Sequence, residues 1–253
     1  MANPTFSLND LIFYWILFPI ILFPVLLFVK QPYGRHFSTS WGPSVSNRKG
    51  WIIMEFPSLF IISLFFINQE KFAPISTFLF TLWIIHYFNR TLIFPFRIKT
   101  KGKRMPVIIV LFAILFNSIN ATINGIDLGK TIDFHSYTTI DFVRSGIGLV
   151  LFMTGMIINL SSDTILIGLR KSSGNGYQIP QKGLFRWVSC PNYLGEIIEW
   201  TGFALMAWNL AALSFVIWTL VNLLPRALDN HKWYRQHFSN YPENRKAIFP
   251  FIL

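Results

Sequence analysis

Seven apolar runs divide the chain, at roughly 10–29, 51–67, 72–94, 106–124, 141–160, 192–207 and 210–226. The first five each approach the length a helix needs to cross about 30 Å of hydrocarbon. Residues 195–224 form one apolar stretch, too long for one span and too short for two full ones. Its weakest point is Trp208-Asn209, and the pattern predicts a break there. The expectation is an all-α integral membrane protein of about seven transmembrane helices, built as a single domain over 1–253. No Lys or Arg precedes Lys30, so the first run lacks the basic flank of a cleaved signal and reads as a retained span.

Composition agrees with that pattern. Hydrophobic residues make up 53% of the 253, aromatics 17% and charged residues only 13%, against about 25% charged in a soluble domain. A net charge of +11 would suit a nucleic-acid partner, but the basic residues fall between the apolar runs. That is the positive-inside pattern, and no nucleic acid is expected. Lys30, Arg35, Arg48 and Lys49 fill one gap; Arg97, Lys99, Lys101, Lys103 and Arg104 fill another. Arg170, Lys171, Lys182 and Arg186 fill a third, and the tail adds Arg226, Lys232, Arg235, Arg245 and Lys246. The alternate gaps hold Lys71 and Lys130, one each. The bias puts the amino terminus outside and the carboxyl terminus in the cytoplasm. The single cysteine, Cys190, excludes an internal disulfide and a Cys-based zinc site. No metal is expected, although a His and carboxylate site is not excluded by that count. The chain is expected to be a monomer in a bacterial inner membrane or the endoplasmic reticulum, according to its source.

Orientation then places the polar residues that interrupt the runs. Glu55 stands in WIIMEFPSLF, and His86, Tyr87, Asn89 and Arg90 in IIHYFNRT. Asn159, Asp163 and Arg170 stand in MIINLSSDTILIGLRK. Asn192, Glu196 and Glu199, spaced four and three apart in GLFRWVSCPNYLGEIIEW, share one helix face. Two carboxylates on an apolar helix either sit at the membrane surface, solvated, or line a polar cavity. All these residues fall in the cytoplasmic half, which describes a pocket open to the cytoplasm and closed on the other side. Glu55 reads either as a helix-start carboxylate paired with a loop Arg or as a buried acid able to share a proton. Tyr87 reads as an interface aromatic or as a donor that polarises a carbonyl. Asn192 and Glu196 are expected to face a ligand, and Glu199 to pair with Arg90. Ser172 to Gly176 reads as a flexible turn over the pocket. Neither GxGxxG nor GxxxxGK[ST] occurs, so neither nucleotide-binding loop is indicated.

Taken together, MEFPS at 54–58, HYFNRT at 86–91, GMIINLSSD at 155–163, the 183–200 stretch and YPENRKAIFPF at 241–251 resemble the steroid 5α-reductases, with the type 2 branch nearest. The resemblance covers the whole chain. It implies reduction of the 4,5 double bond of a lipophilic 3-oxo-Δ4 steroid by NADPH, with Glu55 and Tyr87 holding the 3-oxo group. Implied cofactor contacts are Asn159, Asp163, Arg170, Tyr177, Asn192, Glu196, Arg226, Tyr234 and Arg245, with Tyr33 and Lys103. The cofactor pocket would come mainly from 155–253 and the substrate pocket from 1–125. Two positions depart from the family pattern: Gln178 stands where a basic residue is usual, and Asn230 where a histidine is. Two rivals remain at this point. Membrane methyltransferases of the isoprenylcysteine type, which use S-adenosylmethionine, share a segment like RWVSCPNYLGEIIEW. A transporter is the non-enzymatic alternative, although ionisable residues in one half of the membrane leave no path across it.

Overall fold

In hydrocarbon a backbone has to satisfy its own hydrogen bonds, and a helix does so within one segment. The computed structural model describes residues 7–32, 34–68, 73–99, 102–130, 137–172 and 177–253. Eight helices dominate them: α1 (Leu8–Phe28), α2 (Asn47–Ile67), α3 (Pro74–Phe88), α4 (Phe94–Arg97), α5 (Val107–Leu128), α6 (Thr139–Ser172), α7 (Pro191–Ala207) and α8 (Leu210–His237). Five of them, α1, α2, α5, α6 and α8, are long and apolar enough to cross a bilayer. The expected third and sixth spans are shorter as α-helices: α3 has 15 residues and α7 has 17. A π turn over Asn89–Ile93 carries α3 on into α4. The turn expected at Ser172 to Gly176 lies outside the described residues beyond Ser172, which ends α6.

Local sequence explains the helix boundaries. Ser7 and Asp10 close α1 with a reciprocal capping box. Pro74 and Pro191 open α3 and α7, where the missing N–H costs nothing. The predicted break at Trp208-Asn209 is present. Trp208 turns left-handed at φ 46°, and the Asn209 side chain accepts from the Ala212 amide at 2.8 Å to start α8.

Among the described residues one short two-stranded sheet accompanies the helices. Strands β1 (Ser44–Ser46) and β2 (Arg104–Pro106) pair antiparallel, with Val45 opposite Met105. Each strand leads straight into a long helix, α2 or α5, so the pairing fixes the level at which those two helices start. Higher up, the Asn117 amide of α5 donates to the Met54 carbonyl of α2 at 2.5 Å.

Glycines set the closest helix pair. A Cβ on Gly195 of α7 would lie 2.6 Å from the Asn159 nitrogen, and one on Gly148 of α6 2.7 Å from the Gly202 oxygen. Neither contact is tolerable, so α6 and α7 touch backbone to backbone, as small residues permit between membrane helices. Beside them Trp83, fully buried, lies 5.2–5.6 Å from the rings of Tyr87, Trp200, Phe203 and Phe215. The tail is sewn onto the start of α7: the Ser189 amide donates to Lys246 O at 2.8 Å and the Cys190 amide to Ala247 O at 3.1 Å.

Candidate active site

The polar residues that interrupt the apolar runs do assemble. α2 supplies Glu55, α3 His86 and Tyr87, the π turn Arg90, α6 Asn159 and Asp163, and α7 Asn192, Glu196 and Glu199. The π turn has a cause in the sequence. Pro95 has no amide to donate back to Thr91, and the helix widens just before it, with Phe94 donating to Asn89. Arg90 then reaches Asp163 Oδ2 and Glu196 Oε1, each at 3.3 Å, while lying over the Trp51 and Phe94 rings. The Asn159 amide donates to Glu196 Oε1 and to the Asn192 carbonyl, both at 3.1 Å. The Asn192 amide donates to Asp163 Oδ1 at 3.4 Å. Close packing at Gly155 and Gly195 is what lets these short side chains meet.

One expected pair is wrong. Glu199 does not bind Arg90; its Oε1 lies 2.7 Å from Nδ1 of His86. The reason is helix direction. α3 and α7 run antiparallel, so the earlier residue of the first, His86, meets the later residue of the second, Glu199. Arg90 correspondingly meets Glu196.

Glu55 is partly exposed and Tyr87 is buried. Glu55, Tyr87, Arg90 and Glu196 lie within electrostatic reach of one another, and Arg226 of α8 is within reach of Glu55. The Tyr87 ring is held between Trp83 at 5.3 Å and Trp200 at 5.9 Å. Ser58, one turn after Glu55, faces the phenol without completing a hydrogen bond of good geometry. An acid and a phenol converging in an apolar cage can hold a carbonyl oxygen and stabilise negative charge that builds on it.

A second group gathers where the basic segments meet at one end of the bundle. The Arg35 guanidinium lies 4.4–5.0 Å from the rings of Tyr177, Trp233 and Tyr234 and donates to the Tyr234 hydroxyl at 3.3 Å. Tyr234 stacks on Tyr241 at 5.3 Å, and Arg245 covers Tyr241 from 4.9 Å. Arg245 is 3% exposed, yet among the described residues its Nε and Nη1 have no hydrogen-bond partner, nor has Nη1 of Arg35. Lys103 lies over Tyr177 at 5.4 Å. Burial, together with Arg170 and Arg35 nearby, pushes its ammonium pKa down from the usual value. Arg170 is also within reach of Asp163, which links the two groups.

Lys103, Arg170, Tyr177, Tyr234 and Arg245 therefore belong to the cationic group. Glu55, Tyr87, Asn159, Asp163, Asn192, Glu196 and Arg226 belong to the other. Tyr33 lies outside the described residues. Gln178 lines a cleft with Arg35, Arg170, Tyr177 and Tyr234, so the cations in that cleft are Arg35 and Arg170. Asn230 contacts the Cys190 thiol, whose pKa burial pushes up to about 12. Arg35 and the partner role of His86 escaped the sequence reading. The one signal for Arg35 was the cluster of Tyr177, Trp233 and Tyr234, aromatic faces that call for a cation.

A family model for 3-oxo-5-alpha-steroid 4-dehydrogenase matches residues 103–253. The chain is 42% identical over 251 residues to steroid 5-alpha-reductase DET2 of Solanum lycopersicum, covering 96% of each chain. It is 42% identical to DET2 of Arabidopsis thaliana, covering 89% of this chain and 88% of that one. It is 39% identical to 3-oxo-5-alpha-steroid 4-dehydrogenase 1 of Rattus norvegicus, covering 89% and 87%. The matches run through both the acid cluster and the cationic end, and the chain belongs to the 3-oxo-5-alpha-steroid 4-dehydrogenases, the steroid 5α-reductase family of oxidoreductases.

Proposed function

We propose that the protein reduces the 4,5 double bond of a 3-oxo-Δ4 steroid with NADPH. Glu55 and Tyr87 hold the 3-oxo oxygen in this reading. The observation that carries it is the contrast between a self-paired polar cluster around those two residues and a cationic cradle, beside it, with unused donors.

The cradle fits a polyanionic dinucleotide. Arg245 and Arg35 keep buried nitrogens without partners among the described residues, a costly arrangement unless an anion completes it. Lys103 and Arg170 add charge suited to phosphates, and Tyr177 and Tyr234 offer ring faces. Asn159, Asp163, Asn192 and Glu196 present amide and carboxylate groups for carboxamide or hydroxyls, with Arg226 close by. When bound, NADPH supplies the hydride. Glu55 and Tyr87 then stabilise the charge that accumulates on the enone oxygen, in a site from which aromatic rings exclude water. The steroid, being lipophilic, enters from the bilayer; the cofactor comes from the basic side. In the same reading the chain is a monomer with seven spans. α3 with its π turn, and α7, join the five long helices, with the amino terminus outside and the carboxyl terminus in the cytoplasm.

The test is binding and turnover by the purified, detergent-solubilised protein. Saturation of a 3-oxo-Δ4 steroid with NADPH, and weaker binding of NADH at low salt, is the expected result. S-adenosylmethionine binding without NADPH binding would overturn the reading.

A further inference from the structure

Glu199 is fully buried, and among the described residues only one of its two carboxylate oxygens has a partner, Nδ1 of His86 at 2.7 Å. As a stabilising device this is poor. A buried pair with a free oxygen costs more desolvation than it recovers, and apolar residues of the same size serve stability as well or better. Its value has to lie in where it puts its neighbours.

Those neighbours are the walls of the catalytic cage. Tyr87 follows His86 on α3, and Trp200 follows Glu199 on α7. The His86 ring touches both, at 5.0 Å from Tyr87 and 4.7 Å from Trp200. A bond between residues 86 and 199 therefore fixes the phenol of 87 relative to the indole of 200. The helix needs such a fixture here, because its hydrogen-bond ladder leaves α-geometry two residues later, at Asn89. Arg90, the second residue of that turn, is tied to Asp163 and Glu196. Tyr87 thus sits between two bridges, one just before the soft turn and one within it.

We propose that the His86–Glu199 pair is a positioning device for Tyr87, holding the end of α3 in register with α7 so that the phenol meets the carbonyl oxygen. The pair touches neither substrate nor cofactor in this role, so it governs turnover and not affinity. The proposal rests on the assignment of Tyr87 made above.

Two variants separate placement from charge. Glu199→Gln loses the charge and keeps the reach, since its amide oxygen accepts from the same imidazole N–H. Glu199→Asp keeps the charge and shortens the reach by one methylene. Kinetics with a 3-oxo-Δ4 steroid and NADPH, expressed per mole of NADPH-binding enzyme, remove any loss due to misfolding. Glu199→Gln should keep kcat within about threefold of the parent. Glu199→Asp should lose about tenfold or more in kcat, with the steroid KM and the NADPH Kd within about threefold. The opposite order, equal losses in both, or no loss in either overturns the proposal. Tyr87→Phe is the control that separates the two claims. If it retains full kcat, the reading of Tyr87 falls; if it is impaired while Glu199→Asp is not, only the positioning role falls.

Discussion

Two charged regions of this molecule are built on opposite principles. Inside the helices, Arg90 is shared by Asp163 and Glu196, His86 is bound to Glu199, and Asn159 and Asn192 complete the network. At the basic end, Arg35, Lys103 and Arg245 lie over aromatic rings with Arg170 close to Lys103, and buried nitrogens of Arg35 and Arg245 have no hydrogen-bond partner among the described residues. The first arrangement spends its charges on geometry. The second leaves charge over, and a folded protein keeps buried, unpaired guanidinium groups only where something else completes them. In the proposed reading the paired charges hold the polar groups of the site in place, and the charge left over at the basic end is available to the cofactor's phosphates.

The comparison breaks most visibly at the reacting oxygen. Glu55→Gln and Tyr87→Phe each change little volume and remove one acid or donor. Turnover of a 3-oxo-Δ4 steroid should fall by about 100- to 10,000-fold, while NADPH affinity measured by fluorescence titration stays within a few-fold. Full activity in either variant would remove that residue from the mechanism.

Next in size is the contrast between two arginines. Arg90→Leu strands Asp163 and Glu196 and should cost about 3–5 kcal/mol of stability, read as a large drop in detergent Tm. Arg245→Leu removes a buried cation that lacks a carboxylate partner among the described residues, so the Tm without cofactor should hold or rise. NADPH affinity in that variant should drop by about tenfold or more, the loss of one charged hydrogen bond of about 1.5–3 kcal/mol. If Arg245→Leu melted as badly as Arg90→Leu, the distinction between the two regions would be wrong.

The smallest effect sharpens the picture of the cradle. The Lys103 pKa lies below the ordinary lysine value because of burial and of Arg170 and Arg35. Its charge is therefore lost earlier than usual as pH rises. An anion favours the charged form, so NADPH affinity should decline as pH rises toward the ordinary lysine range, with uptake of a proton on binding. Titrations from neutral pH upward should show the decline, and Lys103→Arg should flatten it. A decline of the same slope in Lys103→Arg would assign it to another group.

How much of this was legible in the sequence depended on how local each feature is. Long apolar runs fix helices because hydrocarbon allows little else, and Trp208-Asn209 was visible as a break because a weak helix former and a capping residue stand together. Glu55, Tyr87, Asn159, Asp163 and Glu196 stood out because each interrupts such a run. Pairing between helices was less legible. Which of two carboxylates, Glu196 or Glu199, meets Arg90 depends on the relative direction of α3 and α7, and the wrong one was inferred. The β1–β2 pair joins residues about sixty positions apart through three-residue strands, too short to leave a period. Arg35 was hidden for another reason: a basic residue in a basic loop carries an orientation signal whether or not it also binds.

The central claim is hydride transfer to the β-carbon of the enone, and isotope transfer tests it most directly. Purified protein would be incubated with a 3-oxo-Δ4 steroid and NADPH carrying deuterium on the transferable position of the nicotinamide, and the product examined by mass spectrometry and NMR. The account predicts a saturated 3-oxo steroid with one deuterium, at carbon 5. Recovery of unreduced steroid only, or of reduced product without deuterium at carbon 5, would contradict it.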